Sequence, residues 1–97
     1  MPMVRFDWDR RKSRSNEHKH GVSFEEAQTV FLDEDARLLF DPEHSDDEDR
    51  FVLLGLSVRL RVLVVCHCYR EHDAVIRIIS ARPATRNERL QYKEFLR

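Results

Sequence analysis

The side chains of this sequence best suited to chemistry are two histidines and two arginines, each set in a distinct local pattern. His20 lies in Lys19-His20-Gly21, at the end of a polar stretch. An imidazole there suits general acid or base work, because histidine ordinarily titrates near neutrality. The plainer role is a helix C-terminal histidine favoured by the dipole. His67 stands between Cys66 and Cys68. A Cys-His-Cys run suggests a metal, yet successive strand residues point to opposite faces, so the three cannot ligate one ion. Arg77 interrupts the apolar run Ile76–Ile79. Alternation puts it with Val75 and Ile79, opposite Ile76, Ile78 and Ser80. Such a charge either pairs with an acid such as Asp7 or is displayed on an open sheet face. Arg82 follows at the strand's end, and two arginines can clamp a phosphate bidentately.

Other constellations are weaker. His44 with Asp46, Asp47 and Asp49 could hold a hard cation, but the spacing lacks the glycine and terminal glutamate of a calcium loop, and a flexible acidic loop is the commoner explanation. With Gly21 and Gly55 the only glycines, a phosphate-cradling glycine loop is nearly excluded, and no serine-centred nucleophile motif occurs. Near the C-terminus Arg86, Arg89, Lys93 and Arg97 fall within one arc of a helix, with Tyr92, Phe95 and Leu96 on the other side. That helix should dock through its aromatic face and show a cationic ridge. Leu90 lies within the ridge, where a partner could cover both. A solubilising surface with an ordinary exposed leucine is the bland alternative.

These groups need elements to position them. Met3–Trp8 alternates weakly and predicts a short strand. Asp9 can cap a helix over Arg10–Lys19 that is polar on every side, and Gly21 stops it. Ser23 and Glu26 form a capping box for the next helix, whose Phe24, Ala27, Val30 and Phe31 should be core. Ala36–Phe40 predicts a strand, Asp41-Pro42 a turn and Asp46–Asp49 a loop. Phe51–Val58, Arg61–Tyr69 and Ala74–Ser80 predict three strands in antiparallel hairpins. Pro83 should not extend a central strand. Thr85 and Glu88 make a second capping box. The expected order is β-α-α-β-β-β-β-α: an α+β domain with an antiparallel sheet of four to five strands, two N-terminal helices and one C-terminal helix. An even-residue tight loop before the last strand would face His67 away from Arg77, whereas an odd loop or a bulge would bring them to one face.

Bulk properties set the bounds. Ninety-seven residues make one domain, 1–97, with room for a modest core. No apolar run approaches a membrane span, no secretory signal is evident, and two cysteines make no disulfide framework, so a reduced cytoplasmic setting is expected. The net charge of −1 hides a sorted distribution: residues 1–22 and 51–97 are basic, and 23–50 carry eleven acidic groups against two basic ones. Such sorting allows a positive face that suits a polyanion.

At this point the residues resemble a family. Phe6-Asp7-Trp8-Asp9, Lys12, Asn16 and Lys19 to Ala27 look like the N-terminal signature of BrnT toxins. Asp41 to Ser45 and Arg50-Phe51 resemble its middle. Ile76 to Arg82, Ala84-Thr85, Glu88 and Tyr92 resemble its C-terminal signature. Cys68 and Tyr69 depart from it, standing where polar residues are expected. The resemblance implies a RelE-like fold and a ribonuclease that blocks translation. It also implies a BrnA-type antitoxin with a ribbon-helix-helix part, operator DNA being bound only through that antitoxin. No cofactor, metal or membrane is implied.

The mechanism expected on this basis is metal-independent: the 2′-hydroxyl of the RNA attacks the adjacent phosphorus. His20 would transfer the proton, with Lys19 and Lys12 nearby. Arg77 and Arg82 would offset phosphate charge, and His67 is a secondary acid candidate. Lys12, Arg86, Arg89 and Lys93 would bind RNA, and Leu90 and Arg97 the partner. Two rivals remain: a non-catalytic binding module whose basic face meets a protein or operator DNA, and a metal nuclease built on His44 and Asp46–Asp49.

Overall fold

The structure, a computed structural model, describes residues 4–96; of the expected site residues, Arg97 lies outside them. Strand β1 (Arg5–Asp7) leads into helix α1 (Arg10–His20) and helix α2 (Phe24–Thr29), which tightens into a 3-10 turn at Val30–Leu32. Strand β2 (Arg37–Asp41), a 3-10 turn at Pro42–His44, strands β3 (Arg50–Leu56), β4 (Val62–Arg70) and β5 (Val75–Pro83), and helix α3 (Arg86–Glu94) complete the chain. This is the expected order of elements. The five strands form one sheet, β1-β5-β4-β3-β2. Strands β2 to β5 pair antiparallel as expected. β1 instead joins β5 in parallel, so the sheet is mixed. Two helices intervene between β1 and the rest, which frees it from hairpin geometry. No described helix is long and apolar enough to cross a membrane.

Helices cover both faces of the sheet. Under α2 and the chain around it lies the main core of Val22, Phe24, Ala27, Val30, Leu53, Leu63, Val65, Ile78 and Ala81, with Phe31 packed against it. Under α3 lies a smaller cluster of Leu54, Val64, Ala84 and Tyr92. The Thr85–Glu88 capping box forms completely. The Ser23–Glu26 box forms only by half. Ser23 Oγ accepts from the Glu26 amide at 3.0 Å. The buried Glu26 carboxylate is occupied elsewhere, by Arg61 at 2.6 and 2.8 Å and by Ser57 at 2.7 Å. Those bonds hold it below the usual carboxylate range, the Arg61 hydrogen bond being the largest cause.

β5 runs three residues beyond the expected Ser80, ending at Pro83 opposite Leu63. Its pairing with β4 contains a bulge: Arg77 faces Cys68, yet Ser80 faces Cys66, leaving Ile79 as the extra residue. Cys66 and Cys68 share a face, so Arg77, Ser80 and Arg82 share it too. The expectation that Ser80 lies opposite Arg77 therefore fails at the bulge. Docking of α3 is also narrower than expected. Tyr92 is buried, whereas Phe95 and Leu96 are exposed because the helix ends at Glu94. The Arg37 guanidinium lies 3.3 Å from the Phe95 ring centroid instead.

Candidate active site

α1 has no apolar stripe to bury, and it is anchored by one side chain. β1 covers β5 only from Val75 to Arg77, which leaves the later part of the β5 edge open. Asn16, the only buried residue of α1, fills that gap. Its Nδ2 donates to Ala81 O at 2.8 Å and Val22 O at 2.9 Å, and its Oδ1 accepts from Ala81 N at 3.0 Å. The amide thus pairs with β5 as a neighbouring strand would. Asp9 caps the helix start by accepting from the Arg11 and Lys12 amides. Gly21 ends it at φ 69°, a left-handed conformation suited to glycine. The first turn carries Arg10, Arg11 and Lys12 and no acid. Cations at a helix N-terminus oppose the dipole, so helix stability does not account for them.

So placed, α1 sets Lys12, Lys19 and His20 around a hollow of about 200 Å³ whose other side is Ile79 and Ser80. A second hollow of about 250 Å³ shares Ile79 and Ser80 and is lined by Asp41, His44, Arg50, Cys66 and Arg82 among others. The two hollows thus adjoin the same two residues at the bulge: His20, Lys12 and Lys19 line the first, and His44, Arg50 and Arg82 line the second. The His44 ring is oriented by Asp41, Nδ1 to Oδ2 at 2.8 Å. Ser45 braces the turn, donating to Asp41 O at 2.5 Å and accepting from the Arg50 amide at 2.9 Å. Burial pushes the Cys66 thiol upward, so it stays protonated and serves as lining. Each hollow therefore has one imidazole among cationic side chains, groups of the kind that can move protons at a phosphodiester.

The arginines expected to clamp phosphate are both paired. Arg77 is bound to Asp7 of β1, one of the two alternatives its sequence left open, and it lines neither hollow. Arg82 makes a two-pronged pair with Glu88 at 2.7 and 2.9 Å. Arg82 draws the Glu88 carboxyl down to about 2. Arg82 still lines the second hollow, fixed in place with its charge partly offset.

His67 does not reach the site. Four residues separate β4 from β5, and His67 pairs with Ile78, which turns it to the face covered by α2, away from Arg77. It is fully buried beside Phe31 and Phe51, its ring nitrogens near Val65 O and the Tyr69 hydroxyl. Burial lowers its pKa, so the ring is neutral and structural. Cys66 and Cys68 point to the opposite face from His67, and no described group of three or more His, Cys, Asp or Glu is placed to hold a metal. Arg86, Arg89 and Lys93 are exposed on α3, and Leu90 is 48% exposed among them. Sequence reasoning did not single out Arg50 or Ser80 for the site, and it weighed His44 only as a cation ligand with Asp46, Asp47 and Asp49, whereas the structure pairs it with Asp41. The i, i+3 spacing of Asp41 and His44 across a Pro-initiated turn was the available signal.

A family model described as "Ribonuclease toxin, BrnT, of type II toxin-antitoxin system" matches residues 8–88. Among solved structures, the chain is similar to the 1.1 Å crystal structure of the Brucella abortus ribonuclease toxin, BrnT. That match has a TM-score of 0.65 and 22% identity, covering 87% of this chain and 100% of that one. At this identity the likeness establishes the fold. No curated protein matches the chain.

Proposed function

Because the chain belongs to the BrnT family of ribonuclease toxins of type II toxin–antitoxin systems, we propose that it cleaves RNA in the groove between α1 and the Pro42–His44 turn, without a metal. Cleavage in the cytoplasm would inhibit translation until a BrnA-type antitoxin with a ribbon-helix-helix part neutralises it. The observation that supports this reading is the pair of hollows sharing Ile79 and Ser80, one lined by His20, Lys12 and Lys19 and the other by His44, Arg50 and Arg82.

The chemistry then needs only the substrate and these side chains. One imidazole accepts the proton of the 2′-hydroxyl as its oxygen bonds to the adjacent phosphorus. The other imidazole returns a proton to the 5′-oxygen as the P–O5′ bond breaks, giving a cyclic phosphate and a free 5′-hydroxyl. Lys12, Lys19, Arg50 and Arg82 offset the charge that builds on the phosphoryl oxygens. Asp41 positions the His44 ring. The exposed ridge of Arg86, Arg89 and Lys93 starts beside the Arg82–Glu88 pair and extends the track for the RNA backbone.

The test is cleavage of a model RNA by purified protein in EDTA, with identification of the product ends. Cyclic-phosphate ends formed in the presence of chelator are expected. Activity that disappears on chelation, or 5′-phosphate products, would refute the metal-free mechanism.

A further inference from the structure

β2 is an edge strand, and its outer side pairs with no strand among the described residues. It exposes three consecutive large apolar residues: Leu38 at 51%, Leu39 at 46% and Phe40 at 52%. An exposed apolar edge is an aggregation hazard that folded proteins blunt with charge, proline or a covering element, and this strand has none between Arg37 and Asp41. Beside it lies a hollow of about 490 Å³ with Leu38, Phe51 and Tyr69 on its apolar side and Glu48, Asp49 and Asp73 on its rim. Phe40 packs edge-to-face on Phe51 and continues the apolar surface.

We propose that this edge and hollow are the docking surface for an extended segment of the antitoxin that alternates apolar and basic residues, adding as a strand to β2. The inference rests on the toxin–antitoxin reading above. The charge of the rim selects the occupant. Residues 23–50 carry eleven acidic groups and two basic ones, and every charged residue lining the hollow is an acid. RNA is repelled there, and a second copy would bring two acidic rims together. A basic strand satisfies the open backbone, fills the hollow with alternate side chains and meets the rim with the others. Asp41 ends β2 and also lines the groove with His44, so a segment continuing past it covers one wall of the nuclease site. Docking at this edge would thereby neutralise the toxin.

The test is hydrogen exchange of the full chain, alone and with the ribbon-helix-helix protein encoded beside its gene, together with calorimetric binding. Slowed exchange of amides 37–41 in the complex is expected, with binding weakened about tenfold or more by Leu38→Glu/Phe40→Glu. The same variant, free, should cleave RNA at the wild-type rate, which also shows that it is folded. Asp49→Lys should weaken binding, and an acidic replacement in the antitoxin segment should restore it. Protection confined to α3 around Leu90 would overturn the edge while leaving the antitoxin reading intact. Protection of 37–41 in the chain alone as its concentration rises would also overturn it, in favour of a second copy. An antitoxin that fails to bind the wild-type chain at all would overturn the toxin–antitoxin reading itself, whatever its nuclease activity.

Discussion

Asn16→Ala should damage the stability and the activity of this protein together. The side chain makes three buried hydrogen bonds, two as donor to Ala81 O and Val22 O and one as acceptor from Ala81 N. Each such bond contributes about 1 kcal/mol net, and leaving a buried partner unsatisfied adds to the loss. Alanine is the better helix former by about half a kcal/mol, which offsets little. The net destabilisation should be about 3 kcal/mol, a large share of the ~5–15 kcal/mol typical of a small domain. α1 has no apolar face to hold it otherwise, so Lys12, Lys19 and His20 should lose their place and cleavage should fall by about tenfold or more under conditions where the fold persists. Asn16→Asp should be at least as harmful near neutrality, because the new carboxylate faces two carbonyl oxygens, and its penalty should lessen as acid protonates it. Urea unfolding followed by circular dichroism gives the stability, and cleavage at low urea gives the activity. A loss below about 1 kcal/mol, or unchanged cleavage by a clearly destabilised variant, would refute the reasoning.

Glu88 titrates at about 2 when folded against 4.5 ordinarily, so its pair with Arg82 contributes above pH 4.5 and is lost as pH falls towards 2. With the Arg82 side chain 41% exposed, solvent screening reduces the contribution to about 1–2 kcal/mol, and Glu88→Gln should flatten that part of the acid unfolding curve. Gly55→Ala should destabilise by about 2–3 kcal/mol in thermal unfolding, since an added Cβ would lie 2.8 Å from Ala36 Cβ and 2.9 Å from Val30 Cγ1. The Tyr92 hydroxyl donates to Asp33 at 2.6 Å; Tyr92→Phe should lower stability by about 1 kcal/mol. Burial, then Asp33, raises the phenol above its ordinary 10, so ultraviolet titration should find it ionising above free tyrosine and stability falling beyond pH 10.

Most elements were legible because each carries local signals. Asp9 and Gly21 bracket α1, Thr85 and Glu88 open α3, and the apolar runs of β3 to β5 have strand character. Less legible was whatever depends on register. The bulge at Ile79 sets Ser80 and Arg82 on the face of Arg77, and simple alternation cannot reveal it. The β4–β5 turn puts Glu71, His72 and Asp73 at positive φ without a glycine to announce it, and its four-residue length is what turns His67 inward. Pairing of Arg82 with Glu88 follows from α3 folding back after Pro83, a tertiary fact with no local trace. His20, Lys12 and Lys19 share one hollow, as residues close in sequence can, but the second hollow beside it, with His44 and Arg50, comes from strands and a turn far along the chain and needed the third dimension. Glu26 looked like a cap by spacing and became the anchor for Arg61, because a two-pronged arginine pair on a buried carboxylate outcompetes a single amide.

The central claim is that His20 and His44 act on one phosphodiester from opposite walls of a groove that excludes His67 and Arg77. Its most direct test is the single-turnover cleavage rate of one model RNA in EDTA by His20→Ala, His44→Ala, the double variant and Arg77→Ala. Losses of about a hundredfold or more for each histidine variant are predicted, the double variant falling little further and Arg77→Ala cleaving near the wild-type rate. Near-wild-type cleavage by either histidine variant, or a collapse confined to Arg77→Ala, would contradict it.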